Sequence, residues 1–90
     1  MKILMPTYKL LLFSDSINQQ YMTEQKQAIN NLLPDLAVEV VDHTDSRLAK
    51  FSDKNRVPCI MIFKDEARMQ ARHSKLSHSE AANWIAARVI

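Results

Sequence analysis

Glycine is missing from all 90 residues of this chain, where average usage of about 7% would supply roughly six. Its absence excludes the glycine-loop phosphate sites: neither a Walker loop nor a dinucleotide fingerprint can be built without it. Turns fall to other residues, and Asn30–Asn31, Pro34–Asp35, Asp65–Glu66 and Ser74 are placed to make them. Cysteine is almost as scarce. Cys59 stands alone, which excludes an intrachain disulfide and a Cys-rich zinc site and suits a reducing compartment. Long apolar runs are missing too. Pro6 breaks the first, Ser14–Asp15 stops Leu10–Phe13, and neither approaches a signal-peptide core or the roughly 20 residues that span a bilayer. A cytoplasmic protein without membrane attachment is expected. Charge is balanced: 12 Lys and Arg against 10 Asp and Glu leave +2, too little by itself to indicate nucleic acid or a membrane.

What is present suits one small globular domain, residues 1–90, with 47% hydrophobic and 24% charged residues. Tyr8–Phe13 lacks polar alternation and reads as a strand buried on both faces. Ser16 is an expected N-cap with Gln19 completing a capping box. Ile17, Tyr21, Ala28, Ile29, Leu32 and Leu33 then recur at helical spacing as a core face, and Pro34 ends the helix. Val38–Val41 is a second strand. Ser46 is placed to cap a short helix through Phe51, and Ser52–Arg56 is a polar connection. Cys59–Phe63 gives the third strand. Ala67–His73 gives a fourth, with Ala67, Met69 and Ala71 inward and Arg68, Gln70 and Arg72 outward, a charged face suited to an exposed edge. Ser77 and Glu80 form a capping box for a last helix carrying Trp84. Residues 1–7 are an expected N-terminal arm.

The predicted order is β-α-β-α-β-β-α, an α/β sandwich on a mixed four-stranded sheet, with a parallel crossover early and an antiparallel hairpin late. From Pro58 onward, the residues Pro58, Ile60, Ile62, Phe63, Lys64, Asp65, Leu76, Ser77, Trp84 and Ile85 fall where thioredoxins place a proline, an apolar strand, a turn and the last helix. The chain resembles the thioredoxin-like family, and the resemblance implies that fold, with a cis peptide at Pro58. It also implies a site. The family's Cys-x-x-Cys turn corresponds to Ser16-Ile17-Asn18-Gln19, yet Ser14–Tyr21 holds no cysteine, and thiol–disulfide exchange needs a low-pKa thiolate at a helix N-terminus. A fainter likeness, on Tyr8-Lys9-Leu10 and Asn30-Asn31-Leu32, is to the KaiB family, whose members work by binding other proteins.

The expectation is therefore a redox-inactive module that binds a protein partner or serves inside a larger assembly, a virion component being one fitting context. Its expected partner-binding surface is Ser16, Ile17, Asn18 and Gln19 with Arg56, Val57 and Pro58, where family members pair with extended peptides. The alternative is a monothiol redox or thiol-transfer protein using Cys59, although a small apolar residue opening a buried strand is where free cysteines commonly sit. No cofactor is expected. His43, His73 and His78 fall on a turn, an edge strand and a helix start, and read as exposed polar residues rather than metal ligands. The basic group Arg68, Arg72, His73, Lys75 and His78 lacks interleaved exposed aromatics, so it reads as a solvated edge rather than a nucleic-acid surface.

Overall fold

The computed structural model describes residues 7–89; the expected N-terminal arm, Thr7 apart, lies outside the described residues. Four strands form one mixed sheet in the order β2-β1-β3-β4. They are β1 (Tyr8–Ser14), β2 (Ala37–Asp42), β3 (Cys59–Lys64) and β4 (Ala67–Arg72). β1 pairs parallel with β2 across the helical crossover and antiparallel with β3, and β3 turns tightly into antiparallel β4. β1 is central, and its Leu10–Ser14 stretch is wholly buried, as an apolar run without alternation requires.

Two layers cover the sheet. On one face lie the helices α1 (Gln19–Leu32) and α2 (His78–Val89). They pack Met22, Ile29, Ala81, Ala82 and Ile85 onto Leu10, Leu12, Ile60 and Ile62. On the other face Leu11, Phe13, Cys59 and Met61 meet Leu48, Phe51 and Val57. The segment between β2 and β3 makes that second cover as two 3-10 turns, Ser46–Leu48 and Ser52–Asn55, in place of the expected short helix.

Several local expectations need correction, each for a hydrogen-bonding or packing reason. Asp15, not Ser16, caps the entry to the first helix: its carboxylate accepts from the Asn18 amide at 3.2 Å and the Asn18 side chain at 2.8 Å. A 3-10 turn, Ser16–Asn18, precedes α1, which rotates Ile17 off the core face and leaves it 88% exposed. Ile29 is buried as expected, Met22 and Gln25 are buried in the place expected of Ile17, and Leu32 is half exposed. Asp45 takes the capping role expected of Ser46, accepting from Arg47. Asn30 and Asn31 lie within α1, where the Asn30 side chain reaches past the helix end to donate to the carbonyls of Leu33 and Leu36. The Ser77–Glu80 capping box forms reciprocally. In the β3–β4 hairpin, Asp65 and Glu66 both take positive φ, 50° and 71°, the two left-handed positions that glycine or asparagine usually fill.

The alternation expected in β4 fails at one residue. Ile62 pairs with Gln70 and the next residue, Phe63, with Arg68, so Met69 is an extra residue on its strand. Such a bulge shifts the side-chain period by one. Ala71 packs on the Phe13–Met61 face as expected, but Arg68 now shares that face, reaching Asp53 and the Phe51 ring. Gln70 and Arg72 fall on the helix face, where Gln70 accepts from Arg88 and Arg72 lies over Trp84.

Candidate functional site

The two segments expected to form a binding surface leave the sheet at the same end. Phe13 pairs with Cys59, so continuing that antiparallel ladder by one residue sets Ser14 opposite Pro58. Beyond them run Asp15–Gln19 on one side and Arg56–Pro58 on the other. The Val57–Pro58 peptide is cis. Ser16, Ile17 and Arg56 are exposed, whereas Asn18, Gln19, Val57 and Pro58 are half-buried. Asn18 is tied back to Asp15, and the Arg56 amide donates to the Asp53 carbonyl at 2.9 Å. Ile17 is thus an apolar side chain carried into solvent by a capped, rigid turn. Just inside, the buried Ser14 hydroxyl has no hydrogen-bond partner among the described residues, a cost of about 1–3 kcal/mol.

Cys59 is fully buried and opens β3. Burial pushes its thiol up to about 12; the nearby Asp53 charge pushes the same way, while Arg68, the Arg72 main chain and Arg56 oppose it too weakly to prevail. A thiol in this state offers almost no thiolate near neutral pH, and the thiolate is the reactive form.

Beneath the Arg56–Pro58 segment lies a polar cluster that the sequence does not announce. Asp53, 6% exposed, projects from the second 3-10 turn. One carboxylate oxygen receives Arg68 at 2.5 Å and the other meets His73 Nε2 at 2.5 Å. His73 Nδ1 faces the Arg56 carbonyl at 2.8 Å. Burial alone would raise the Asp53 carboxyl, but the hydrogen bonds from Arg68 and His73 outweigh it and hold the group below its ordinary value. His73 is therefore no exposed edge residue; it is clamped between a carboxylate and a main-chain carbonyl. His78 stacks on Tyr21 with centroids 5.3 Å apart and faces Glu24 at 3.6 Å, and His43 sits in the turn after β2. The three histidines do not converge. The expected basic group is dispersed as well, with Arg68 on one face of the sheet, Arg72 over Trp84 on the other, and Lys75 over Tyr21.

No protein-family model matches the chain, and no curated protein is similar to it in sequence. Solved structures are similar in fold. Thioredoxin O2 of Arabidopsis thaliana, in its oxidized state, superposes with a TM-score of 0.71 at 12% identity, over 93% of this chain and 76% of that one. Thioredoxin-2, described as a component of the malaria parasite protein secretion machinery, gives 0.66 at 20% identity, over 98% of this chain and 89% of that one. The chain has the thioredoxin-like fold: an α/β sandwich on a mixed four-stranded sheet. At these identities the likeness defines architecture alone, and an architecture of this kind hosts unrelated activities.

Proposed function

We propose that the protein is a redox-inactive member of the thioredoxin-like fold that binds another protein, alone or as a subunit of a larger assembly. Its contact surface is Ser16–Gln19 with Arg56–Pro58. The observation that carries this reading is Ile17, an isoleucine 88% exposed on the turn where a redox protein of this fold would hold its cysteines. Burying such a side chain against a partner is worth about 1.5–3 kcal/mol, and isolated on a monomer it stabilises nothing. Arg56 adds a cation at the rim, where charge governs orientation and encounter rate. The lack of any cysteine from Ser14 to Tyr21 and the depth of Cys59 support a non-redox role. Thiol transfer through Cys59 is the competing reading, and it needs an exposed thiolate.

Affinity capture from the cells that express the protein, with quantitative mass spectrometry, tests the surface. Ile17→Glu and Arg56→Glu are compared with Lys26→Glu, on the exposed side of α1. Proteins retained by the wild type and by Lys26→Glu but lost from the first two variants are expected. An identical set retained by all four proteins rejects the assignment of this surface.

A further inference from the structure

Asp53, Cys59 and His73 bring three different ligand chemistries together: a carboxylate, a thiol and an imidazole whose donor atoms all lie within 4.8 Å of one another. They come from three separate elements. Asp53 is on a 3-10 turn, Cys59 opens β3, and His73 directly follows β4. Ile60 pairs with Arg72, so the next rung of the ladder sets Cys59 beside His73. Cys59 is fully buried and Asp53 nearly so, and the His73 side chain is 14% exposed.

Both ring nitrogens of His73 face acceptors, an arrangement that favours a cation at this point. Nδ1 faces the Arg56 carbonyl and Nε2 faces an Asp53 carboxylate oxygen. Both are acceptors, whereas a neutral imidazole carries one N–H. With Nδ1–H donated to Arg56, the Nε2 lone pair points at a carboxylate, and something positive belongs between them. A second ring proton is the minimal answer. A metal ion is the other, and the surroundings match what metal-bound histidines need: the distal nitrogen fixed by a main-chain carbonyl, which sets tautomer and ring orientation.

We propose that Asp53, Cys59 and His73 form a binding site for one divalent transition-metal ion of the zinc class. Thiolate and imidazole together favour a borderline ion of this kind over magnesium or calcium, which prefer all-oxygen shells. Tetrahedral bonds of about 2.0–2.3 Å require donor separations of about 3.3–3.8 Å. The cluster reaches them when the Nε2–Oδ2 contact, now 2.5 Å, opens by about 1 Å and the sulfur, within 4.8 Å of both, closes on the other two donors. Asp53 keeps its other oxygen on Arg68, leaving Oδ2 for the ion. Thiolate, carboxylate and dication sum to zero, and Arg68, 38% exposed, adds a charge that solvent screens. Three protein ligands leave a fourth position for water. As the metal–sulfur bond forms, the Cys59 S–H proton passes to solvent, so each ion bound releases at least one proton. The ion would fasten the turn bearing Arg56–Pro58 to both β3 and β4.

Cobalt(II) is the probe. Added to chelator-stripped protein, it is expected to bind one equivalent with a thiolate-to-cobalt charge-transfer band in the near ultraviolet, which zinc(II) then abolishes by displacement. Apparent affinity should rise about tenfold per pH unit below the alkaline range, reflecting the proton released. Cys59→Ser should lose the band, and His73→Gln should bind at least about tenfold more weakly, while His78→Gln matches the wild type. Zinc should raise the melting temperature of the wild type and leave that of Cys59→Ser unmoved, which separates loss of the site from loss of the fold. No binding, or cobalt bound without the band, or equal binding by Cys59→Ser overturns the proposal.

Discussion

Cys59 should make the protein lose stability as the solution turns alkaline, by an amount the structure sets. In the fold its thiol is pushed up to about 12, chiefly by burial; in the unfolded chain it titrates at about 8.5. A group whose folded value is raised contributes stability that is complete below the unfolded value and lost as pH climbs toward the folded one. The window therefore opens near pH 8.5. At pH 10 the unfolded thiol is almost fully ionised while the folded one is still protonated, and the linkage relation gives a loss of about 2 kcal/mol. For a domain of this size that is a fall of about 8–16 °C in melting temperature. Tyr21 is likewise raised, mainly by burial, so the wild-type curve alone does not isolate the thiol. Cys59→Ala does. It should cost about 1–2 kcal/mol at pH 7 through lost packing, then decline less steeply, so that the two proteins converge near pH 10. Urea unfolding of chelator-treated, reduced protein at pH 7, 8, 9 and 10 measures the difference. Parallel curves would show that the thiol is no more protonated in the fold than in the unfolded chain, and would revive thiol transfer as the protein's activity.

Asp53 acts in the opposite direction. Held below its ordinary value by Arg68 and His73 against the opposing effect of burial, it contributes stability present above about pH 4 and lost as pH falls through the folded value. Asp53→Asn should destabilise by about 1–3 kcal/mol at pH 7 and show a shallower acid limb in unfolding followed from pH 6 to pH 2; an unchanged acid limb would show that the pair contributes nothing. In the β3–β4 hairpin, replacing Asp65-Glu66 by Asn-Gly relieves two side chains of positive φ. It should stabilise by about 0.4–1 kcal/mol, less whatever is lost with the Asp65 carboxylate that accepts from Thr7, and a lower urea midpoint would refute the steric argument.

Much of the fold was legible because each element declared itself through period and punctuation. β1 and β3 are uninterrupted apolar runs, and both fall within a residue of their expected bounds. Ser77 and Glu80 stand at capping-box spacing and form the box. Other features turn on choices between neighbouring residues that sequence period does not resolve. Asp15 and Ser16 are both good caps, and the one the backbone selects decides whether Ile17 is core or surface. That choice governs the candidate surface, because helical period puts Ile17 on the core face while its place in the turn puts it on the surface, and the structure exposes it.

The Asp53–Cys59–His73 cluster was hidden for a different reason: its members have no common spacing, and the countercharge that Asp53 needs reaches it only through a bulge. Without the extra residue at Met69, strict alternation from Ala71 would carry Arg68 to the helix face, and Asp53 would lose the guanidinium that now meets it. A buried carboxylate without a countercharge is expensive, so bulge, Arg68 and buried Asp53 form one unit although they lie on separate segments. The same unit clamps the turn before Pro58 to the sheet edge, through Arg68 and His73 on β4 and its exit and the Arg56 carbonyl above them. The proposed contact surface and the buried cluster therefore share the Arg56–Pro58 segment. The Arg56–Pro58 segment is one wall of the proposed contact surface and the roof of the proposed metal site, so any cation that tightens the cluster, proton or metal, also restricts the wall.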